Sequence, residues 1–518
     1  IAPPRPVRPL SVSRVTSQRP TFQWILPAGT TGARVEVCAD RCCTRVLQTI
    51  DAEGTTVRPM TALPPGVVFW RMFGRRGTVV GSLASYTWEF GVRRRDAPND
   101  TSWGTIRDFN GDGYDDVLVM RPIAFESRMA ELWLAAGSDR GLQAPVATGI
   151  RNNDQPFLEG VGDFNGDGIA DTLIRERASY PSRRLVVLGG PAGVGLRVSR
   201  TLDLQSLGRC IQLVAASIVD WNGDGYSDVI MSTINVCDLV DGRPSLLLGY
   251  HGSRSGIAAV PQWVIQTDAL FTHPAVEILG GLGDLDNDGY GDIYLLNRPT
   301  SSDTRLFPER QYIAHGAPGP TPRYELVPDP MLDFDQPPWA SLIPYSIGDI
   351  DADGFGDMAL IGRSGAAFVY RHATGVARPS AILVAPRRGG FADACPSDFN
   401  GDGIADMVAS SPFSAAESGD PIPVDVGRVY VYFGDLRGEI RDPIWIDRAE
   451  QDPRDGYIRQ FGASVSCGGD VDGDGFDDVI MTDALGLRLC TRNGGIGLST
   501  AHPDSCLLGA VTIGTDLR

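Results

Sequence analysis

A nine-residue acidic loop of the form Asp-x-Asp/Asn-x-Asp-Gly-x-x-Asp occurs seven times in this chain of 518 residues. Positions 1, 3, 5 and 9 of the loop offer side-chain oxygens, and the backbone carbonyl of position 7 offers one more. Hard oxygen ligands in a short loop suit Ca²⁺, which takes about 6–8 oxygens in flexible geometry. We number the copies loop 1 to loop 7 in chain order, and the pattern predicts up to seven calcium sites.

The predicted ligands are the residues at positions 1, 3, 5, 7 and 9 of each loop. They are Asp108, Asn110, Asp112, Tyr114 and Asp116; Asp163, Asn165, Asp167, Ile169 and Asp171; Asp220, Asn222, Asp224, Tyr226 and Asp228; Asp284, Asp286, Asp288, Tyr290 and Asp292; Asp349, Asp351, Asp353, Phe355 and Asp357; Asp398, Asn400, Asp402, Ile404 and Asp406; Asp470, Asp472, Asp474, Phe476 and Asp478. Position 6 is always glycine, which predicts a sharp turn with positive φ.

The acidic loops have other possible interpretations, which the sequence disfavours. Asp-Gly also marks solvated hairpin turns, but seven copies with the same four side-chain positions filled favour metal binding. An EF-hand needs a glutamate at position 12, where this chain has apolar residues such as Val119, Ile174 and Met231. Strand-like runs, not helices, follow each loop, so the sequence excludes the EF-hand and the dockerin type.

The spacing of the loops predicts the architecture. Successive loops start 55, 57, 64, 65, 49 and 72 residues apart, a period typical of internal-repeat proteins. In each unit a short apolar segment leads into the loop, one strand leaves it, and a third and an outer strand follow. Four short antiparallel strands repeated radially describe a propeller blade. We therefore predict an all-β chain with a seven-bladed propeller over residues 99–518.

The repeats resemble the FG-GAP repeats of integrin α-subunit-like propellers. Phe461-Gly462 is the literal dipeptide, Trp103-Gly104 is close to it, and no Gly-Ala-Pro follows the second strand of a unit. The resemblance implies that each calcium loop joins the first two strands of a blade and that the loops share one face. It also implies that a ligand engages the opposite face or the blade junctions.

Residues 1–95 lack the acidic loop and contain five segments that alternate apolar with polar residues, separated by turn clusters. This spacing predicts a small β-sandwich that looks like a fibronectin type III module, with Trp24 and Trp70 in its core. The Pro-rich start, Ile1 to Arg8, is predicted to be a linker. The stretch Arg93 to Pro98 is predicted to be the hinge into the propeller.

Charge, composition and cysteines bear on location and partners. The net charge is −18, but 24 Asp occupy loop positions 1, 3, 5 and 9, and seven Ca²⁺ would leave about −4. A surface without a basic footprint disfavours nucleic acid, and no apolar run is long enough for a membrane span. The chain begins at Ile1 rather than Met, as it would after signal-peptide removal or other trimming, and we expect a secreted or cell-surface protein. The absence of Lys is interpreted as the codon bias of a high-GC, bacterial genome.

The nine cysteines also favour an oxidising compartment. Their positions predict four disulfide bonds and one remaining thiol, with buried free thiols as the alternative. The predicted pairs are Cys210–Cys237, Cys395–Cys467, Cys490–Cys506 and one pair among Cys38, Cys42 and Cys43, of which Cys38–Cys43 is favoured.

The sequence contains no recognisable catalytic motif: no Gly-x-Ser-x-Gly, His-Glu-x-x-His or phosphate-binding loop. His251, His315 and His372 follow the third strands of consecutive units, where they could bind a transition metal, act as bases, or simply occupy turns. We expect a non-enzymatic calcium-stabilised scaffold that binds a protein or glycan, through inserts at Arg121–Glu131, Pro299–Gln311 and Pro412–Arg428. The alternatives are an integrin-like lectin and a secreted hydrolase or lyase with an axial active site.

Overall fold

The chain is all-β over the part that the computed structural model describes, as predicted, and no α-helix occurs among those residues. In the same part of the chain, no helix is available that could span a membrane. The described residues are 1–123, 129–152, 157–176, 183–191, 193–203, 211–235, 245–267, 275–298, 310–319, 322–327, 342–362, 366–371, 379–384, 390–413, 427–440, 442–446, 460–482, 488–496, 505–508 and 512–513.

The first ten strands form two sheets that share an apolar core. The strands are β1 (Arg5–Arg8), β2 (Arg14–Val15), β3 (Phe22–Ile25), β4 (Gly32–Cys38), β5 (Val46–Glu53), β6 (Thr56–Val57), β7 (Gly66–Arg76), β8 (Val79–Ala84), β9 (Trp88–Val92) and β10 (Ser102–Trp103). One sheet has the order β1-β3-β6 and the other the order β10-β2-β9-β7-β4-β5, with β8 paired to β7. Trp24 and Trp70 are both buried in the common core, so their predicted role is confirmed.

Three features of this N-terminal region (residues 1–103) differ from the sequence prediction. The expected linker is wrong, because Arg5–Arg8 pairs with Phe22–Ile25 as strand β1. The expected hinge at residues 93–98 is anchored, since Arg93 makes buried ion pairs with distant loops. The sheet also continues beyond residue 95, because Ser102–Trp103 pairs with β2. Pairing satisfies backbone groups that a linker would leave to water.

The remaining described strands form seven four-stranded antiparallel sheets, numbered here like the loop that each contains. Sheet 1 has β11 (Val117–Pro122), β12 (Ala130–Ala135), β13 (Val146–Asn152) and the chain's last strand, β38 (Thr512–Ile513). The other six are β14 (Phe157–Gly162), β15 (Asp171–Glu176), β16 (Arg183–Leu188), β17 (Arg197–Asp203); β18 (Ile211–Val219), β19 (Asp228–Asn235), β20 (Leu246–Tyr250), β21 (Trp263–Gln266); β22 (Ala275–Gly283), β23 (Asp292–Arg298), β24 (Arg310–His315), β25 (Arg323–Val327); β26 (Ile343–Gly348), β27 (Asp357–Ile361), β28 (Ala366–Tyr370), β29 (Ala381–Val384); β30 (Asp393–Ser397), β31 (Asp406–Ser411), β32 (Arg428–Tyr432), β33 (Ile444–Ile446); and β34 (Ser464–Gly469), β35 (Asp478–Thr482), β36 (Arg488–Arg492), β37 (Ser505–Leu508).

Apolar side chains between neighbouring sheets connect them in a cyclic order. Separate clusters join sheets 1 and 2, 2 and 3, 3 and 4, 4 and 5, 5 and 6, and 6 and 7. A further cluster joins sheet 7 back to sheet 1 through Val117, Val119, Ile480 and Leu489. The C-terminal strand β38 pairs with β11 inside sheet 1, because the residues before loop 1 already belong to the N-terminal sheet.

The described cysteines follow the predicted pairing. Cys38–Cys43 and Cys395–Cys467 are disulfide-bonded. Cys490 is also in a disulfide bond, and its register partner on β37 is Cys506. Cys42 carries the leftover free thiol of that part of the chain and is exposed. Cys210 and Cys237 lie outside the described residues.

Candidate metal centres in seven equivalent loops

The structure describes all 35 predicted ligand residues and places each set in one turn. Each of loops 2 to 7 connects the first strand of its sheet to the second, as the resemblance implied, and loop 1 leads into β11. In every loop the position-1 aspartate accepts a hydrogen bond from the N–H of the position-6 glycine, at 2.6–3.1 Å. That glycine has φ between 84° and 97° throughout, which confirms the predicted turn.

The position-9 aspartate ties each loop to its own sheet. Asp292, for example, accepts the N–H of Leu285 at 2.8 Å through one oxygen and the N–H of Gly316 at 3.0 Å through the other. Asp406 makes the same two bonds, to Phe399 and Gly434, both at 3.0 Å. The glycines follow the third strand of the sheet, so the carboxylate joins the loop, the second strand and the third strand.

The loop carboxylates converge most closely where position 3 is aspartate. In loops 4, 5 and 7, one oxygen from each of three carboxylates lies within 4.8 Å of the others. The sets are Asp284, Asp286 and Asp288; Asp349, Asp351 and Asp353; and Asp470, Asp472 and Asp478. Buried carboxylate oxygens of Asp228, Asp286, Asp398 and Asp470 have no hydrogen-bond partner. Such oxygens are costly to bury as anions without a counter-charge.

The electrostatics of the chain's own groups oppose full ionisation of the loops. Burial and the neighbouring carboxylates Asp108 and Asp112 raise the pKa of Asp116 to about 8. Burial, again with neighbouring aspartates, raises the pKa of Asp357 to about 8. Burial also raises the pKa of Asp349 to about 7, although Arg8 partly opposes that shift. A bound cation would remove this penalty, because it favours the charged form of each carboxyl.

One structurally equivalent position near the end of the third strand brings its side chain close to position 3 of several loops. The position directly precedes the residue, usually glycine, that follows the third strand, and the sequence predicted no defined role for it. His251 Nδ1 lies 3.0 Å from Asn222 Nδ2, and Arg371 Nη1 lies 3.4 Å from Asp351 Oδ2. Asn493 donates to Asp472 at 2.5 Å.

In sheet 4 the corresponding residue is His315, which lies 3.3 Å from Asp286. Loops with asparagine at position 3 have Ala136, Leu188 or Phe433 at this place, His251 excepted. Every position-3 aspartate therefore faces a polar side chain. An alignment of the seven repeats on that glycine would have revealed this pairing from the sequence. In the fifth repeat it would have pointed to Arg371 instead of His372, which lies outside the described residues.

Side chains of the N-terminal region rest on the metal loops, which the sequence analysis did not predict. Arg41 donates to the carbonyls of Gly166 in loop 2 and Gly225 in loop 3, both at 2.7 Å. Trp88 Nε1 donates to the Gly223 carbonyl at 2.9 Å. The N-terminal region therefore covers the face of the sheets on which the loops lie.

A buried cluster of ion pairs in this interface involves aspartates of loops 1, 6 and 7. Arg93 donates to Asp398 at 2.9 Å and to Asp477 at 2.7 Å, and all three side chains are at most 3% exposed. Arg14 lies 2.9 Å from Asp115 and 3.3 Å from Asp477. Burial alone would raise the pKa of Asp477, but Arg93 and Arg14 outweigh it and leave that pKa below its ordinary value.

A cavity of about 180 Å³ lies where the first strands of the sheets meet. Small residues from these strands line it, including Gly160, Ser217 and Gly281, and residues Leu10–Val12 contribute from the N-terminal region. Glu159 and Asp393 are also part of the lining. Glu159 is fully buried and forms an ion pair with Arg184, whose Nη2 donates to it at 2.8 Å.

Comparison with known proteins identifies the repeats. The family described as FG-GAP-like repeat matches residues 349–409, and the family described as FG-GAP repeat matches residues 392–432. The chain therefore contains FG-GAP repeats around loops 5 and 6.

Integrin α-subunits are related to part of the chain at low identity. Integrin alpha-4 of Xenopus laevis is 32% identical over 87 residues, which are 17% of this chain and 8% of that protein. Integrin alpha-IIb of Homo sapiens is 31% identical over 143 residues, covering 24% of this chain and 14% of that protein. The match spans less than a sixth of either relative, so the likeness concerns the repeats and not the whole integrin.

Solved structures with a similar arrangement are distant. The Dos1 propeller has 10% identity and a TM-score of 0.36, with 93% of this chain and 96% of that chain covered. The exotype rhamnogalacturonan lyase YesX has 10% identity and a TM-score of 0.33, with 99% and 98% covered. Likeness at this level carries no conclusion about activity.

Proposed function

We propose that this protein is a calcium-stabilised, seven-bladed β-propeller with an N-terminal β-sandwich, secreted or displayed at the cell surface, that serves as a non-enzymatic binding scaffold for a protein or glycan. The observation that carries the proposal is the repetition of one loop geometry in seven sheets joined in cyclic order. Each loop would hold one Ca²⁺ through positions 1, 3, 5 and 9 and the position-7 carbonyl.

The choice of Ca²⁺ follows from the donor set. All seven loops present oxygen atoms at all five ligand positions, and hard cations prefer oxygen ligands. Only in loop 4, among the described residues, does an imidazole also contact the loop carboxylates. Four or five ligands from one nine-residue turn give a flexible cage, which suits Ca²⁺ better than the strict octahedron of Mg²⁺. The cation would neutralise the converging carboxylates and fix the first hairpin of each sheet.

The partner surface is assigned to the face opposite the loops. Arg41, Trp88 and Arg93 of the N-terminal region contact the loop face, which leaves the other face for a large partner. In antiparallel sheets the connections between second and third strands lie at that other end. The three predicted inserts belong to these connections, and most of their residues lie outside the described part of the chain.

The test uses the full chain after removal of divalent cations. Equilibrium dialysis is expected to show up to seven Ca²⁺ bound, with a rise in melting temperature. Asp353→Ala should bind one Ca²⁺ fewer and melt at a lower temperature, while Asp139→Ala, an exposed aspartate outside the loops, should match the wild type. An unchanged calcium stoichiometry in Asp353→Ala would refute the loop assignment.

The scaffold role is tested separately, by glycan array and by affinity capture in calcium buffer. Asp353→Ala should retain partner binding at low temperature, because the metal supports the sheet and does not touch the partner. Loss of binding in a still-folded Asp353→Ala protein would make the metal part of the recognition surface. A glycan hit with saturable affinity would specify the lectin form of the proposal.

The axial cavity favours one second candidate, a secreted hydrolase or lyase with its active site on the axis. Three acidic residues, Glu159, Asp220 and Asp393, line the cavity. Glu159 is already paired with Arg184, and Asp220 is position 1 of loop 3. Cleavage of a polysaccharide by the wild type, lost in Asp393→Asn and kept in Asp139→Asn, would establish this candidate. Absence of turnover across a polysaccharide panel would leave the scaffold as the function.

A further inference from the structure

We propose that loop 4 binds a zinc-class divalent cation through His315 Nδ1, Asp286 and Asp292. This deepens the proposed function, because Asp286 and Asp292 belong to one of the seven loops. In loop 4 this mixed nitrogen and oxygen site would take the place of the all-oxygen calcium site, which leaves six loops for Ca²⁺. Imidazole nitrogen with carboxylate oxygen is a donor set typical of Zn²⁺ and its transition-metal neighbours.

The distances fit a small tetrahedral ion. His315 Nδ1 lies 3.3 Å from Asp286 Oδ2 and 3.4 Å from Asp292 Oδ1. Two ligands bound to Zn²⁺ at about 2.0–2.1 Å in tetrahedral geometry are about 3.3–3.4 Å apart. The three ligand atoms lie within 4.8 Å of one another. Two of the three ligand-to-ligand distances therefore match a tetrahedral ion, and the third, between the two carboxylate oxygens, is at most 4.8 Å.

The burial of the imidazole is the second observation. His315 is 2% exposed, and its Nδ1 atom points between the two carboxylates, in ionic contact with both but without a well-aligned hydrogen bond. The Oδ1 atom of Asp286 is likewise buried without a partner. When the ring proton sits on Nε2, the Nδ1 lone pair faces two carboxylates, a repulsive arrangement that a bound cation would relieve.

Glu325 supplies the outer contact that metal-bound histidines usually have. It lies on the outer strand β25, and its Oε2 is 3.3 Å from His315 Nε2. When Nε2–H donates to this carboxylate, Nδ1 keeps its lone pair and faces two carboxylate oxygens. Carboxylate–histidine–metal arrangements of this kind orient the ring and raise its basicity.

Two features of the surroundings are compatible with an incoming ion. Arg323 donates to Asp286 Oδ2 at 2.7 Å, but its side chain is 60% exposed and can turn into solvent. His251, the counterpart in sheet 3, faces the neutral amide of Asn222 instead of a carboxylate. The mixed donor set is therefore specific to sheet 4 among the described loops with a histidine at this place.

The experiment titrates the metal-free full chain with Zn²⁺ by calorimetry and with Co²⁺ by visible absorption. It uses a Cys42→Ser background, because the exposed thiol of Cys42 would bind both ions. We expect one high-affinity Zn²⁺ per chain that excess Ca²⁺ does not displace. His315→Gln should weaken it at least tenfold, and Glu325→Gln should weaken it about 10–100-fold.

Matched variants separate this site from the calcium loops. His251→Gln should bind Zn²⁺ like the parent, and Asn493→His, which places an imidazole beside Asp472 in loop 7, should add a second site. Calcium stoichiometry, measured in parallel, reports on the other loops independently of His315. Equal Zn²⁺ affinity in parent and His315→Gln, or no saturable Zn²⁺ binding by the parent, would overturn the proposal, even if calcium binds as proposed above.

Discussion

Replacing Arg93 by methionine tests the junction between the N-terminal region and the propeller sheets. The guanidinium is buried between Asp398 of loop 6 and Asp477 of loop 7, at 2.9 and 2.7 Å. It also lies 5.1 Å from the ring centroid of Trp103. Methionine keeps an unbranched apolar side chain at this place and removes the guanidinium group, with its charge, its hydrogen bonds and its cation–π contact with that ring. The variant therefore tests mainly the electrostatic part of the contact.

The expected loss in the free energy of unfolding is about 3 kcal/mol. Two unit charges about 4 Å apart attract by roughly 4 kcal/mol at an effective dielectric constant of about 20. Desolvation already offsets much of that attraction, and removing one partner of a buried pair typically costs about 3–5 kcal/mol. The lower figure applies because Arg14 still lies 3.3 Å from Asp477. The pKa of Asp477 is lowered from 3.8, so this contribution is complete at neutral pH and is lost as pH falls through the depressed value.

Urea unfolding at pH 7 in calcium buffer, followed by tryptophan fluorescence, measures the loss. Arg94→Met is the matched control, because Arg94 also lies over an aromatic ring, 4.3 Å from the centroid of Tyr114, but is exposed and makes no ion pair among the described residues. It donates to the Gly113 carbonyl at 3.0 Å, and its replacement should cost about 1 kcal/mol. The double variant Arg93→Met/Asp477→Asn should recover part of the loss by removing the stranded carboxylate. If Arg93→Met and Arg94→Met unfold at the same urea concentration, the junction does not work as described.

Two further predictions concern the loops in chelator. In chelator, Asp472→Asn should raise the melting temperature more than Asp351→Asn does, by the equivalent of about 1 kcal/mol. The reason is that Asp351 already faces the positive charge of Arg371, whereas Asp472 faces the neutral amide of Asn493. Equal melting temperatures for the two variants, or the reverse order, would contradict this prediction. Because burial raises the folded-state pKa of Asp357 to about 8, the metal-free chain should gain stability on acidification from pH 7.5 to 5.5, by up to about 1.4 kcal/mol per pH unit for each such group. The calcium-loaded chain should gain no stability over the same pH range. An equal change in the free energy of unfolding with pH for the metal-free and the calcium-loaded chain, measured by chemical denaturation, would contradict this prediction.

The repeat, the loop geometry and the core tryptophans could be predicted because each depends on local pattern. The position-6 glycines, for instance, need positive φ for reasons contained in nine residues. The contact between His315 and Asp286 could not be predicted in the same way, since it depends on which residue near the end of the third strand lies beside position 3 of the loop. In sheet 5 the residue beside position 3 is Arg371, one residue before the histidine that the sequence pattern singled out, His372. This offset of one residue concealed the equivalence of the positions.

The contacts between the N-terminal region and the loops could not be predicted from the sequence for a different physical reason. Arg93 and Asp477 are far apart in the chain, and no local sequence pattern in either segment indicates that they form an ion pair. The resemblance to FG-GAP repeats, by contrast, rested on motif residues alone, and the matches over residues 349–432 agree with it.

The seam between sheets 7 and 1 has a consequence for biosynthesis. Arg14 is translated long before one of its partners, Asp477, because the two residues are 463 positions apart in the chain. The guanidinium group of Arg14 therefore lacks this partner until sheet 7 has been synthesised. We expect the N-terminal region to complete its docking only after the sheets that carry its partners have folded.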